Sequence, residues 1–143
     1  MTTPRRSVST FRARYAETDQ MGVIYHSHYL VWCEIGRTDF LRSLGRTYAE
    51  LERDGVFLAV TEARIRFLAP ARYDEEIRVE TWIERVQSRA VTFAYEISRA
   101  APSPPARLAL ATTTLVALDA RGTPVRLPPD LLQLLRDAAA PSP

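Results

Sequence analysis

Four stretches in the second half of the chain alternate between apolar and polar residues, which is the pattern of half-buried β-strands. They cover residues 56–68, 76–84, 91–97 and 108–118. In the first of them one face is predicted to carry Phe57, Ala59, Thr61, Ala63, Ile65 and Phe67, opposite Glu62, Arg64 and Arg66. Short connections, among them the Pro-rich segment 100–105 and the turn 119–122, join successive stretches. We therefore predict an antiparallel sheet.

The first half of the chain carries one long apolar helix. We predict a strand over 7–15, a loop over 16–22, and a helix that has Ser27 as its N-cap and ends near Leu44, before Gly45. At about 100° per residue, one broad face gathers Tyr29, Trp32, Cys33, Gly36, Phe40 and Leu44. Gly36 lies near the centre of this face, so we expect another backbone to approach it closely. Shorter helices are predicted at 47–54 and 130–138.

The element order is strand, long helix, then four strands. A helix with a large apolar surface and a sheet with one apolar face bury each other if the sheet curls around the helix. The predicted fold class is therefore α+β, a hotdog fold in which a five-stranded antiparallel sheet wraps one central helix. We expect a single domain over 1–143, with its core at about 8–127. Edge strands of such a sheet are commonly paired in a dimer.

Charge and composition exclude several classes of function. The net charge is +2 and the basic residues, all arginine, are spread along the chain, so no nucleic-acid interface is predicted. No apolar run approaches the roughly 20 residues of a membrane span. Cys33 is the only cysteine, and the N-terminal segment lacks the apolar core of a signal peptide. We therefore expect a cytoplasmic protein.

A carboxylate, Asp19, lies in the polar loop just before the long helix. The first N–H groups of a helix lack intrahelical acceptors and carry partial positive charge, so they can hold a negatively charged oxygen. Gly22, Tyr25 and His26 lie between the acid and the helix. One loop and one helix would thus supply both halves of an acyl-transfer site. The alternative is that Asp19 only caps a turn.

The loop and helix carry a motif that resembles a known family. Residues 17–29 read ETDQMGVIYHSHY and are followed by Trp32, Glu34 and Arg37, while residues 62–74 read EARIRFLAPARYD. Together these stretches resemble the acyl-CoA thioesterases related to 4-hydroxybenzoyl-CoA thioesterase, including the Tol-Pal-associated YbgC type. The family usually has Asn at the position of His28, and often an aromatic residue at that of Cys33.

The resemblance implies a hotdog homodimer or homotetramer that hydrolyses acyl-CoA without metal or prosthetic group, coenzyme A entering only as part of the substrate. It places the catalytic carboxylate on Asp19 and carbonyl binding on Tyr25 and His26. Gly22, Val23 and Tyr29 belong to the same motif, and we expect them to contact the substrate.

Asp19 is expected to act as general base toward water or as nucleophile on the carbonyl. His26 could donate its backbone N–H or use its imidazole, or it could simply be packed, and Tyr25 would line the site. Bidentate guanidinium contacts suit phosphate, so the candidates for holding the CoA phosphates include Arg64, Arg72 and Arg89. Other candidate groups have structural roles: Glu34 and Arg37 are expected to pair on the helix surface, and Trp82 suggests a subunit contact.

Three functions fit these residues. The first is acyl-CoA thioesterase, and the second is a catalytically silent hotdog module that binds acyl-CoA or acts as an assembly partner. The third is a hydratase or dehydratase, which would need a paired Asp and His on a differently patterned helix. A metal site is not predicted, because His26 and His28 are two apart and point away from each other on a helix.

Overall fold

In a computed structural model, residues 3–101 and 105–139 can be described. The strands are β1 (Arg6–Arg12), β2 (Phe57–Phe67), β3 (Glu76–Val86), β4 (Ala90–Ala101) and β5 (Ala106–Leu118). The helices are α1 (His28–Ser43), α2 (Tyr48–Arg53) and α3 (Pro129–Ala139), with one 3-10 turn at Tyr15–Glu17. The predicted first strand thus ends earlier than expected. The predicted turn at 100–105 falls largely outside the described residues.

The five strands form one antiparallel sheet in the order β1–β3–β4–β5–β2. Helix α1 lies against β1, β3 and β4, and its buried residues form one core with the inner face of the sheet. This arrangement confirms the predicted hotdog fold. Because α1 packs toward the β1 side, the β2 edge curves beside the helix without being covered by it.

Gly36 is where α1 comes closest to the sheet. A Cβ atom added there would lie 2.9 Å from Cγ1 of Val79 and nearer still to Oγ1 of Thr81. The predicted close approach is therefore present, but the groups that need the space are side chains of β3 rather than another backbone. A methyl group at this position would push the helix away from the sheet.

A β-bulge between Val60 and Glu62 changes which side of β2 faces the helix. The residues after the bulge face inward as predicted, because Ala63 pairs with the buried Thr113 of β5. Before the bulge the assignment is reversed: Leu58 and Val60, not Phe57 and Ala59, share the inner face. One extra residue in one strand causes this reversal, since side chains alternate with a period of two.

The inner face of β5 is also opposite to what its larger residues suggest. Ala109, Ala111, Thr113, Leu115 and Ala117 are buried, whereas the even-numbered residues from 110 to 118 are only partly buried. Small side chains line the side that receives the helix, so the alternation identified the strand but not its buried face.

Helix α3 is part of the core. Its Leu131 and Leu135 are fully buried, and the helix packs on β3. The core therefore extends beyond the predicted limit near residue 127.

The apolar composition of α1 suggests a helix that is covered on most sides, but one side of it is open. Leu30, Val31 and Ile35 are exposed in the single chain, and Val60 and Phe67 of β2 expose about half of their surface. These residues form one apolar strip along α1 and the unpaired β2 edge.

Within the described residues, no helix is both long and apolar enough to cross a membrane.

Candidate active site

The loop between β1 and α1 is closed by an aspartate turn. The backbone N–H of Asp19 donates to the Val23 carbonyl at 2.9 Å, and that of Gly22 donates to the Asp19 carbonyl at 3.0 Å. Gly22 has a φ of +78°, a conformation that glycine adopts without steric cost. This turn explains why glycine occupies that position.

The two carboxylate oxygens of Asp19 have different surroundings. Oδ1 accepts the backbone N–H of Met21 at 2.8 Å and, at 3.5 Å, that of Val23. Among the described residues, Oδ2 has no hydrogen-bond donor. The carboxylate is therefore oriented by its own turn and keeps one oxygen available for a substrate or a water molecule.

The segment that carries Asp19 is held against the segment that enters α1. The facing residues are Glu17 with Tyr25, Thr18 with Ile24, and Asp19 with Val23. In addition, the Ile24 N–H donates to the Ala71 carbonyl at 2.8 Å, which ties this pair of segments to the connection between β2 and β3. The acid is thus fixed beside the helix start.

Glu17 anchors this loop to the core, a role that the sequence reasoning missed. Its side chain is almost fully buried; Oε2 accepts the indole N–H of Trp32 at 3.0 Å and Oε1 accepts the backbone N–H of Arg14 at 2.8 Å. Charge-assisted bonds of this kind are stronger than neutral ones. An acidic residue two positions before Asp19, followed by a tryptophan in the apolar helix, was the available signal.

Backbone N–H groups at the start of α1 are free. The first turn uses the N–H groups of His28 and Tyr29, which donate to the carbonyls of Tyr25 and His26 at 3.0 and 3.2 Å. Within the described residues, the N–H groups of His26 and Ser27 have no acceptor. Ser27 occupies the predicted N-cap position, but its side chain makes no capping hydrogen bond. Two amides are therefore available for an oxyanion.

A cleft of about 320 Å³ opens beside this helix start. Its lining residues are Val23, Ile24, His26, Tyr29, Phe67, Leu68, Ala69 and Pro70. The buried Tyr29 packs its ring edge-to-face on Phe67 at 5.0 Å, and burial raises the pKa of its hydroxyl. The cleft is mostly apolar with polar groups at one end, which is the usual character of a ligand site.

The predicted site residues fall into two groups. Asp19, Gly22, Val23, Tyr25, His26 and Tyr29 lie in the loop, the helix start and the cleft. Arg72 is exposed and follows Ala71, whose carbonyl holds the loop.

The other two arginines lie elsewhere in the chain. Arg64 is on the outer face of β2, paired with Glu62 at 3.4 Å. Arg89 is in the turn between β3 and β4, at the end of the sheet opposite Asp19. Neither arginine lines the cleft.

No side chains in the described residues assemble into an evident metal site, because no group of three or more His, Cys, Asp or Glu residues converges there. Cys33 is fully buried, and burial raises the pKa of its thiol to about 12. It is therefore poorly suited to act as a nucleophile.

Known proteins show the same fold and similar sequences. A structure titled as a DHNA-CoA thioesterase from Staphylococcus aureus superposes with a TM-score of 0.87, with 32% identity, covering 92% of this chain and 89% of that one. YneP of Bacillus subtilis is 42% identical over 91 residues, 64% of this chain and 66% of its own length. The acyl-CoA thioesterase YbgC of Haemophilus influenzae is 33% identical over 89 residues, 62% of this chain and 65% of its own length.

The chain thus spans slightly less than two thirds of these two curated relatives. The sequence model of the thioesterase-like superfamily matches residues 13–135, which include the aspartate turn, α1 and all but the first strand of the sheet. The chain therefore belongs to the thioesterase-like superfamily.

Proposed function

We propose that this protein is an acyl-CoA thioesterase that hydrolyses the thioester to a free acid and coenzyme A. The observation that carries the proposal is the pair of free N–H groups at His26 and Ser27, beside a cleft and a carboxylate with one free oxygen. The names of the relatives support the same reaction class.

The free amides would stabilise the charge that develops on the carbonyl oxygen. A well-placed donor of this kind contributes about 3 to 4 kcal/mol to transition-state stabilisation. The leaving thiolate needs little protonation before it departs, since a thiol such as cysteine has a pKa of about 8.5. A carboxylate and two amides can therefore supply the main requirements of the reaction.

Asp19 has two possible roles in this scheme. As a general base it takes a proton from water while the water oxygen attacks the carbonyl, and the tetrahedral intermediate then expels the thiolate, which takes up the proton. As a nucleophile Oδ2 attacks the carbonyl carbon, the tetrahedral intermediate expels the CoA thiolate, and water then hydrolyses the resulting mixed anhydride to the free acid and the Asp19 carboxylate. Single-turnover hydrolysis in oxygen-18 water tests for the anhydride: label in the Asp19 carboxylate demonstrates nucleophilic attack, with water adding to the aspartyl carbonyl. Label confined to the released acid fits general-base catalysis and also an anhydride whose acyl carbonyl is attacked by water.

A thiol-release assay over a panel of acyl-CoAs tests the proposal, with Asp19→Asn compared with wild type. The amide keeps an oxygen for the turn but removes the charge, so kcat/KM should fall by about 100-fold or more. Asp119→Asn is the matched control, because Asp119 makes a similar turn elsewhere. Equal rates for wild type and Asp19→Asn would remove Asp19 from the mechanism. Absence of thiol release from every acyl-CoA would instead favour a binding module.

The proposal also covers how the protein assembles and where in the cell it acts. The apolar strip along α1 and the unpaired β2 edge support a homodimer in which a second copy extends the sheet, with a homotetramer as a further step. In such an assembly Arg64, Arg72 and Arg89 are the candidates for holding the CoA phosphates. A cytoplasmic location is proposed on the basis of the single cysteine and the CoA substrate. Sedimentation measurements with Val60→Glu, placed in the strip, test the dimer.

A further inference from the structure

Three cavities lie along α1, with volumes of about 320, 250 and 280 Å³. The first is the cleft described above, and the second and third share Glu34 and Arg37 as lining residues. We refer to this row of cavities as the groove. The first lies between Tyr29 and Phe67, the second between Val31 and Val60, and the third between Thr38 and Leu58. From the first cavity to the third, the residue numbers rise along α1 and fall along β2, so the cavities follow one another between the helix and the inner side of β2. Val31 and Val60 also belong to the apolar strip, so in the proposed homodimer the second copy would cover the open side of the groove. The bulge in β2 keeps apolar side chains on this side throughout.

An arginine lies between the second and third cavities of the groove. Arg37 lines both the second and the third cavity, and only 9% of its surface is exposed. It was predicted to pair with Glu34 on the helix surface; the pair exists at 3.9 Å, but the guanidinium is buried while Glu34 is mostly exposed. At 3.9 Å this ion pair is too long to be a hydrogen bond.

One polar atom beside these cavities lacks a hydrogen bond. Nε of Arg37 is buried and has no partner in the described residues. The hydroxyl of Tyr48 lies beside the same guanidinium and interacts with it, and both residues line the third cavity. Burial would lower the pKa of Arg37, but the hydroxyls of Tyr95 and Tyr48 outweigh this effect and raise it, so the guanidinium stays charged. Buried polar atoms without partners are uncommon and unfavourable.

The chemistry of these groups selects the ligand. Arg37 can only donate, Glu34 as a carboxylate can only accept, and Tyr48 can do either. A hydroxyl oxygen accepts from Nε and donates to Tyr48 or Glu34, so it satisfies both kinds of group. A carboxylate in the same place would be repelled by Glu34, which lines both cavities as well.

We propose that Arg37, Tyr48 and Glu34 form a binding site for a hydroxyl group on the distal part of the acyl chain. This inference rests on the proposed thioesterase function and specifies its substrate class. His26 and Arg37 are eleven positions apart, about 16 Å along a helix axis, and the arginine side chain leans back toward the helix start. The hydroxyl group therefore belongs on a medium-length chain, several carbons from the thioester.

The experiment compares pairs of medium-chain acyl-CoAs that are identical except for a terminal hydroxyl group. For wild type, kcat/KM should favour the hydroxylated member by at least about tenfold at one chain length. In Arg37→Met the ratio should fall to about one. The exposed Arg42→Met on the same helix is the matched control and should keep the wild-type ratio. Because each ratio is internal to one variant, a general loss of activity does not imitate the result.

Tyr48→Phe provides a second variant in case Arg37→Met does not fold. It removes a single hydroxyl beside the cavity and keeps the ring, so it should fold normally and reduce the ratio severalfold. A wild-type ratio of one or less at every chain length would overturn the proposal, as would a ratio unchanged in Arg37→Met or, if that variant does not fold, in Tyr48→Phe.

A further measurement separates this inference from the proposed function. If wild type releases no thiol from any acyl-CoA, the thioesterase proposal fails, but calorimetric binding of the same pairs still tests the site. At least tenfold tighter binding of one hydroxylated member by wild type, lost in the variant that folds, supports it. Equal affinities overturn it.

Discussion

The chain builds the same aspartate turn twice. At Asp19 and Asp119 the Oδ1 atom accepts the N–H of the residue two positions later, at 2.8 and 2.9 Å. In each turn the aspartate N–H donates at 2.9 Å to the carbonyl four positions later, and the glycines, Gly22 and Gly122, have φ values of +78° and +80°. A turn this similar in both places cannot by itself be the source of activity.

The helices that follow the two turns start differently. Before α1, His26 and Ser27 leave their N–H groups without acceptors in the described residues. Before α3, the N–H of Leu127 donates to the Ser88 carbonyl at 2.8 Å, and Pro128 and Pro129 have no N–H to offer. The two residues directly before α3 therefore offer no free amide that corresponds to those of His26 and Ser27 before α1.

The two helix starts also differ in charge and anchoring. The first turn of α3 contains Asp130, whereas that of α1 contains no acidic residue, so the positive end of α1 is left for a ligand. Two positions before Asp19 lies Glu17, whose carboxylate accepts the indole N–H of Trp32. Two positions before Asp119 lies Ala117, whose side chain can make no hydrogen bond. The turn is a scaffold, and the groups around it make it a candidate site.

The largest expected effect is on activity. Asp19→Ala should reduce kcat/KM by about 100-fold or more, whereas Asp119→Ala should change it by less than about twofold. Both variants lose the hydrogen bonds of their turn, so each should lose about 1 kcal/mol of unfolding free energy. Thiol release and urea denaturation measure the two effects. Comparable losses of activity in the two variants would show that the turns are functionally equivalent.

Removing the anchor of the first turn should mainly affect stability. Glu17→Ala leaves the N–H groups of Trp32 and Arg14 without acceptors, which should cost about 2 to 3 kcal/mol. Glu17→Gln keeps one acceptor oxygen and should cost less. Denaturation of the three proteins in urea provides the measurement, and equal stability of wild type and Glu17→Ala would refute the anchoring role.

The turn glycines should respond equally to substitution. Gly22→Ala and Gly122→Ala each place a side chain at positive φ in open space, so the cost is backbone strain alone, about 1 to 2 kcal/mol. Thermal unfolding of the two variants measures it. Markedly unequal losses would mean that one turn is supported by contacts that the other lacks.

The smallest expected effect concerns the acid at the start of α3. The Asp130 carboxylate accepts from Arg46 at 2.8 Å, and this hydrogen bond holds its pKa below the usual 3.8. A depressed pKa in the folded state means that the contribution is present above about pH 3.8 and is lost as the pH falls further. Asp130→Asn should therefore lower Tm slightly at pH 7 and not at pH 2. A Tm difference that persists at pH 2 would contradict this assignment.

Much of the fold could be predicted from periodicity. The strands and α1 were found because apolar residues recur with periods of 2 and 3.6. The β2 bulge was missed because no glycine or proline marks it, and the buried face of β5 was not identified because its small alanines attract less attention than the leucines opposite. Neither feature can be read from the alternation of apolar and polar residues alone.

Some features of the candidate site could be predicted from the sequence, and others could not. The motif identified Asp19, His26 and the helix start, but the free N–H of Ser27 depends on hydrogen bonding that only the structure describes. The burial of Arg37 had a signal, since it lies four positions after Cys33 and three before Phe40, within the apolar face. The similarity of the two Asp-x-x-Gly turns was also visible in the sequence and went unnoticed.

The bulge in β2 also has a consequence for engineering. Val60 pairs with Leu115 and Glu62 with Thr114, so Thr61 is the residue without a place in the ladder. Deleting Thr61 would leave a regular ladder with β5 in which Leu58, Val60 and Ala63 keep the inner side and Phe57 and Ala59 the outer side. A deletion of one residue would thus straighten the strand beside the groove without exchanging the side chains that line it, with Asp19 left in place.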